Sequence, residues 1–583
     1  MVDSSTSHGV TNFLTRRHST GDGNLSNTFI LPSYPPSTPG HDCREFNAPE
    51  GTYSLAHSIF ISSLQPLYTV GTSASLVSIK YKESTTNLQR YEAQPGAMNF
   101  RRMFSSSSSS SNGHNIHSTS NNIDSDDEQH VFGTTPSSSS SSCNNNHTSK
   151  HHIMPIPEDE TSSTTKLSFL SRNHSRQHHS RKPKTSITKT NSSFVQKIIT
   201  NDQLAKILMS RTSDDTNLFY NCGTSFIWMD ASGNPKEPLS RTVFTRACPT
   251  SHDVNLLTRA ADQLDLIIGF TSGDIIWFDP LCNKYGRINK GGIMNSTSIT
   301  MIKWLQGYDN LFMASFQDGS IMIFDKDKED ELFHPDPIPN VKDKKLFKIS
   351  KHPPKIASKC NPVSHWKLSY QSITAFAFSP DCQHVAIVGL DGLLRIVNIL
   401  HESLNDVYES YYGGLFCVAW SPDGRYIITG GQDDLVTIWA FKEQRIIARC
   451  QGHHSWVRGV AFDPWRCDEK VYRFASVGED AKLILWDFSV SALHKPKTKA
   501  GNRNRGTSVS SVNSPPLSSI LATIQDKGPV IHPVLSKTEV AFLQPTVIRT
   551  IHSDPCVGIY FREDAIVTTD KRGRINIWQR PRQ

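Results

Sequence analysis

The sequence predicts an all-β chain, a seven-bladed β-propeller with disordered insertions, and three observations carry that prediction. Seven short stretches of alternating apolar residues recur along the chain: TSFIWMD (224–230), GDIIWFD (273–279), GSIMIFD (319–325), GLLRIVN (392–398), LVTIWAF (435–441), KLILWDF (482–488) and GRINIWQ (573–579). Three are preceded by small residues and an acidic turn, FQDG (316–319), GLDG (389–392) and GGQDD (430–434), the chemistry of a tight hairpin between two strands. Where repeats are contiguous, Asp391, Asp433 and Asp480 lie 42 and 47 residues apart, close to the ~40–45 residues of one propeller blade.

The elements upstream of these endings complete the unit. AFAFSPDCQHVAIVG (375–389), CVAWSPDGRYIITGG (417–431), and GVAFDPWR (459–466) followed by YRFASVGED (472–480) each read as strand, turn, strand. In SPDG (421–424) proline and glycine fall where their backbone preferences fit a β-turn. Strand, turn, strand, turn, strand, with the linking strand added, makes an antiparallel four-stranded blade.

Composition separates these units from the rest of the chain. Of 583 residues only 36% are hydrophobic, so part of the chain is too polar to build a core. From about 101 to 193 it runs through two serine tracts, an asparagine-rich tract and a His/Arg/Lys/Ser segment. Such a stretch cannot bury enough apolar surface to offset its ordering entropy. The tract 495–519 has the same character, and 325–359 is charged and proline-bearing. All three are expected to be loops between structured elements. The expected organisation is a disordered tail (1–44), propeller strands (45–90), a disordered Ser/His/basic insertion (91–195), and a propeller (196–581) with polar insertions at about 326–360 and 490–520.

The formal charge of +7 is concentrated in two of these loop-like tracts, which reads as solvated basic linker ahead of a nucleic-acid surface. Eleven scattered cysteines with no C-x-x-C pair indicate neither a zinc site nor a disulfide framework, and a reducing compartment follows. No stretch approaches the ~20 apolar residues of a membrane span, and the N-terminus has no apolar signal region. Cytoplasmic or nuclear placement is expected.

Gly452-His453 followed by Ser476, Asp480 and Trp486-Asp487 resembles the WD-repeat proteins. That resemblance implies a hydrogen-bonded network of His453, Ser476, Asp480 and Trp486 inside one blade. The preceding blade keeps Thr429, Asp433 and Trp439 without the Gly-His, while Ser272 and Arg572 stand at the aspartate position of the second and last blades. One complete network is therefore expected, with apolar packing serving elsewhere. More specifically, the run YYGGLFCVAWSPDGRYIITGGQDDLVTIWAF, with RIIARCQGHHSWVRGVAFDPW, YRFASVGEDAKLILWDF, APEGTYSL near Ala48 and DLIIGFTSGDIIWFDP (265–280), is similar to the fungal catabolite-repression creC family and its animal WD-repeat relatives. The similarity covers roughly 45–90 and most of 200–581. It implies ring closure by the segment from about Glu50 to Lys82 against the C-terminal blade, leaving no open sheet edge. It also implies binding to, and activation or stabilisation of, a ubiquitin-specific protease (a deubiquitinating enzyme), with carbon catabolite repression as the setting.

Other motifs have bland alternatives. His453, Ser476 and Asp480 are the residue types of a hydrolytic triad, but no G-x-S-x-G elbow or oxyanion donor accompanies them, so a structural role and no enzyme activity are expected. Gly413-Gly414 and Gly430-Gly431 match no phosphate loop and read as turn residues. His151, His152, His174, His178 and His179 lie where no fold holds them in tetrahedral geometry, so no metal or other cofactor is expected. Arg181-Lys182-Pro183-Lys184 reads as basic linker or nuclear address. Ser175 and Ser180 beside arginines, and Ser125 within DSDDE, are candidate phosphorylation sites.

Tyr411-Tyr412 and Trp456 stand just before the first strands of adjacent units, with Arg458 just beyond Trp456. Exposed aromatics there suit partner binding because they bury large area at little entropic cost, and Arg458 would add charge-assisted contacts. Packing beneath neighbouring loops is the competing reading for Tyr412 and Trp456, and the favoured one for Tyr411. The expected function is a non-catalytic scaffold for a ubiquitin-specific protease, without small-molecule substrate, membrane contact or nucleic acid. The alternatives are a substrate-recruiting adaptor of a ubiquitin ligase, or an RNA-associated propeller whose binding falls steeply with salt.

Overall fold

The computed structural model describes residues 43–66, 71–79, 182–188, 194–210, 215–231, 237–260, 263–337, 343–494 and 528–582. They build a seven-bladed β-propeller in which each blade is an antiparallel sheet of four strands counted from the centre outward. The seven apolar stretches of the sequence are the third strands. Strands such as Ile275–Asp279, Leu435–Ala440 and Ser320–Asp325 are buried along their whole length, because neighbouring blades pack on both faces of each sheet. That two-sided burial explains why they read as near-continuous apolar runs. Apolar clusters fill the spaces between blades: Ile428 and Ile438 of blade 5 meet Phe474 and Trp486 of blade 6, and Ile267 and Trp277 of blade 2 meet Phe312 and Phe324 of blade 3.

The N-terminal segment closes the ring. Gly51–Ile59 pairs antiparallel with Ile575–Gln579 as the fourth strand of blade 7, and Glu45–Ala48 adds a fifth. Ser73–Ile79 is the first strand of blade 1, pairing with Asp215–Cys222 across more than a hundred intervening residues. Blade 1 therefore lies on both sides of the serine-rich tract in sequence.

Three tracts expected to be loops carry structure, the one at 490–520 only at its start, where Val490–Ala492 is a 3-10 turn and His494 bridges to Phe542. The end of the 91–195 insertion forms Thr185–Ser186, which pairs with Lys284–Ile288 on the outer edge of blade 2. Val195–Thr200 follows as a fifth strand on blade 1. In the 326–360 tract, Lys348–Ser350 is a fifth strand on blade 3, Glu329–Asp330 pairs in parallel with Cys360–Asn361, and Pro354–Ala357 is a helical turn. The physical reason is apolar content that the charged flanks obscured: Phe347 packs edge-on against Trp366 at 5.6 Å, and Ile349 lies opposite Trp366.

The segment after the third strand of blade 6 returns over its neighbours. Val530–His532 adds a parallel fifth strand to blade 4, and Ala541–Leu543 does the same on blade 5. Val547–Thr550 then supplies the fourth strand of blade 6. This strap is fixed by His532, which stacks on Tyr408 at 4.3 Å and meets Asp406 at 2.9 Å. Residues 495–520, most of the 1–44 tail, the histidine cluster at 151–179, and Ser125, Ser175 and Ser180 lie outside the described residues.

Gly430 and Gly431 are not turn residues but the end of the strand Tyr426–Gly431. A Cβ on Gly430 would come within 2.5 Å of Val457, and one on Gly431 within 2.4 Å of the Gly414 carbonyl. The small size of Gly430 serves the close approach of blade 5 to blade 6, and that of Gly431 the close approach of the strand to the loop entering blade 5.

Candidate functional site

The loops entering each blade and the turns between second and third strands share one face. Gly319 abuts the Ser369 carbonyl and Gly392 the Gly413 carbonyl so closely that added Cβ atoms would lie 2.1 and 2.5 Å from them. On this face Tyr412 is 72% exposed and Trp456 41% exposed. They stand on the loops that enter blades 5 and 6, immediately before the adjacent first strands Leu415–Trp420 and Val457–Cys467.

Both aromatics are held from below. In the Tyr412 loop, Ser410 Oγ donates to the Gly413 carbonyl at 2.8 Å, and the Gly414 amide donates to Gln432 Oε1 at 2.7 Å. Gly413 takes a positive φ of 63°, a conformation glycine adopts without a Cβ penalty. Tyr411 turns inward, with the Arg449 guanidinium 4.4 Å and the Lys537 ammonium 5.5 Å from its ring centroid. Arg449 also donates to the carbonyls of Leu535 and Ser536 at 2.6 and 3.2 Å, so the strap buttresses the loop that presents Tyr412. Trp456 leans on Phe416 at 5.5 Å, and the Arg458 guanidinium covers Phe416 from 4.2 Å. Arg458 faces Glu479 at 3.9 Å, and Glu479 in turn binds Lys571 at 2.6 Å. Arg458 is thus largely occupied within the fold and supports the Trp456 platform.

The polar network of blade 6 fixes the second loop. His453 Nδ1 lies 3.0 Å from Asp480, and its Nε2 lies 2.8 Å from Ser476 Oγ, which accepts Trp486 Nε1–H at 2.9 Å. The His454 amide donates to Asp480 at 3.0 Å and the Glu479 amide to the Trp456 carbonyl at 2.9 Å. Ser, His and Asp are in the connectivity of a hydrolytic triad, yet Ser476 is 0% exposed and already bonded to Trp486. No substrate carbonyl reaches that hydroxyl, and the arrangement supports the Trp456 loop.

The expectation of a single complete network is corrected by blade 7. His552 Nδ1 meets Asp570 at 3.0 Å and its Nε2 meets Thr568 Oγ1 at 2.9 Å, while Trp578 Nε1–H donates to Thr568 at 3.1 Å. Asp570 comes two residues before the position occupied by Arg572, and so escaped alignment by turn position. Elsewhere the expected apolar packing is present and polar contacts accompany it. In blade 2, Trp277 Nε1–H donates to Asp265 at 2.8 Å, and Lys326 pairs with the same carboxylate at 2.9 Å in full burial. In blade 5 Trp439 Nε1–H donates to Thr429 at 3.0 Å.

Asp480 and Asp433 occupy matching turns but opposite electrostatic environments. Burial alone would raise Asp480, but His453 and the loop amides hold its carboxyl below the usual range. Burial pushes Asp433, which has no histidine, up to about 6. A depressed carboxyl contributes stability above its unfolded value and loses it as pH falls through the folded value; a raised one contributes below its unfolded value and loses it as pH rises through about 6. Asp433→Asn is therefore expected to raise the urea midpoint at pH 8 relative to the parent, and to do so less at pH 5, whereas Asp480→Asn lowers it at both. Ser476→Ala and Thr568→Ala, each stranding a buried histidine and a tryptophan N–H, are expected to cost about 1–3 kcal/mol in equilibrium urea unfolding.

Tyr370 is 41% and Leu390 39% exposed, on the loop entering blade 4 and on that blade's turn between second and third strands. They extend the apolar arc, and the sequence reading did not single them out. A signal was present: Tyr370 precedes Ile373 by the same three residues that separate Tyr412 from Leu415. Among the described residues no group of three or more His, Cys, Asp or Glu side chains is placed to hold a metal ion.

A ring of seven such blades, with this histidine, serine or threonine, aspartate and tryptophan network, defines a WD-repeat protein, and the chain belongs to that family. The family profile described as WD domain, G-beta repeat matches residues 360–398, 404–440 and 444–487, each match starting at or beside the fourth strand of one blade and ending with the third strand of the next. Over a far longer span the chain is similar to the UBP9-binding protein bun62 of Schizosaccharomyces pombe, at 39% identity over 412 residues, which is 67% of this chain and 75% of that protein.

Proposed function

We propose that this chain is a non-catalytic scaffold that binds a ubiquitin-specific protease through the face bearing Tyr412 and Trp456, and that binding activates or stabilises the protease. The observation that carries the reading is the pair of exposed aromatics on adjacent, internally braced loops. Rigid aromatic anchors of this kind dominate binding energy at protein interfaces. Support for the partner comes from the similarity to a protein named for binding UBP9 and from the resemblance to the creC family. A role in carbon catabolite repression, in the cytoplasm or nucleus, completes the proposal.

The test is recovery from cell extract on the tagged full chain, read with a ubiquitin probe that captures the active site of deubiquitinating enzymes. Recovery of a probe-reactive protease by the parent, and its loss with Tyr412→Ala/Trp456→Ala, is the expected result. Recovery of ubiquitin-ligase subunits without a probe-reactive enzyme would overturn it in favour of an adaptor.

A further inference from the structure

We propose that a cavity on the loop-bearing face of blade 2 is a binding site for a phosphorylated serine or threonine side chain. The cavity has a volume of about 380 Å³. Three cations line it: Arg246 from the loop entering blade 2, Arg287 from that blade's fourth strand, and Lys290 from the loop leaving it. The floor is preorganised. The Arg287 guanidinium lies 4.4 Å over the Phe194 ring and binds Asp274 at 2.5 Å. Asp274 also accepts Ser272 Oγ–H at 2.6 Å and the Gly291 amide at 2.8 Å, so its charge is satisfied internally.

The other acid beside the cavity, Asp330, accepts the Lys290 amide at 3.2 Å, and burial raises its carboxyl above the usual range. Arg246 and Lys290 are exposed at the mouth, and neither side chain has a hydrogen-bond or ion-pair partner among the described residues. Two uncommitted cations match the charge of ~ −1.5 to −2 on a phosphomonoester better than the single charge of a carboxylate. The planar donors of Arg246 suit its oxygens.

The phosphoryl group can come from a partner or from this chain. Thr185 pairs opposite Tyr285 in antiparallel register, so the backbone from Thr185 back towards Lys182 heads in the direction of Arg287 and Lys290. Arginine-flanked Ser180 precedes Lys182 by two residues in sequence.

Fluorescence anisotropy with the full chain decides the matter, using a labelled peptide of residues 174–181 phosphorylated at Ser180, its unphosphorylated twin, and inorganic phosphate as competitor. The phosphopeptide is expected to bind at least tenfold more tightly than its twin, to be displaced by phosphate, and to lose at least tenfold in affinity on Arg246→Ala/Lys290→Ala at an unchanged melting temperature. A chain phosphorylated at Ser180 that no longer takes up the peptide identifies its own serine as the source; continued uptake identifies a partner's. Equal binding of the two peptides, or full binding by the double variant, would overturn the proposal. It is independent of the protease reading, since Tyr412→Ala/Trp456→Ala leaves this cavity untouched.

Discussion

Combining Tyr412→Ala with Trp456→Ala is expected to weaken binding to the ubiquitin-specific protease by about a thousandfold, with the melting temperature of the propeller nearly unchanged. Each residue is an exposed aromatic on a braced loop, and truncating such an anchor costs ~2 kcal/mol or more. Two losses of that size correspond to roughly three factors of ten in Kd. Tyr411→Ala gives the contrast. Its ring lies against Arg449 and Lys537, so its removal is expected to loosen the strap and to lower affinity far less. Titration calorimetry on the two variants separates anchors from a support.

Arg473→Met is expected to lower the unfolding free energy by about 3–5 kcal/mol, the usual cost of removing one partner from a buried ion pair. Arg473 is almost fully buried and donates to Asp487 at 2.8 Å and to Glu50 at 2.6 Å, while Tyr53 donates to the same Glu50 oxygen at 2.7 Å. Glu50 lies in the N-terminal segment that closes the ring, so this network ties ring closure to blade 6. Burial alone would raise the Glu50 carboxyl, but the hydrogen bonds from Arg473 and Tyr53 bring it below its ordinary value of 4.5. The contribution of a depressed carboxyl is complete above its unfolded value and is lost as pH falls through the folded one. The gap between parent and Arg473→Met in equilibrium urea unfolding is therefore expected to be full at pH 7 and to narrow as the pH drops below about 4.5.

What the residues revealed and what they hid follow from how far each interaction reaches along the chain. The third strands were legible because each is buried on both faces by adjacent blades, and their turn residues lie within a few positions. Ring closure was visible only through resemblance. The stretch Gly51–Ile59 carries alternation but meets its partner strand some five hundred residues later. The strap was hidden for a related reason: its two pairings are only three residues each and run parallel to strands of blades 4 and 5, which leaves no hairpin signal. Asp570 was missed because it serves His552 from the end of a strand rather than from the turn, a spatial equivalence that spacing does not encode. At the site, Tyr412 and Trp456 stood out by their place before a first strand. The Phe416 platform and the Arg449 buttress came from folding alone.

The strap and the blade 6 network give the fold a direct bearing on recognition. Each anchors one of the two aromatic loops, through Arg449 and Tyr411 in one case and through Asp480 and His454 in the other. Both loops are thus ordered before any partner arrives, which reduces the entropy lost on binding.

The most direct test of the central claim is the initial rate of ubiquitin–fluorophore cleavage by a purified UBP9-type protease, measured alone and with saturating amounts of this chain, beside the chain by itself. The account predicts no cleavage by the chain alone, with either a higher protease rate or a slower loss of protease activity on incubation when the chain is present, and neither effect with Tyr412→Ala/Trp456→Ala. Cleavage by the chain alone, or a protease whose rate and lifetime are the same with and without it, would contradict the account.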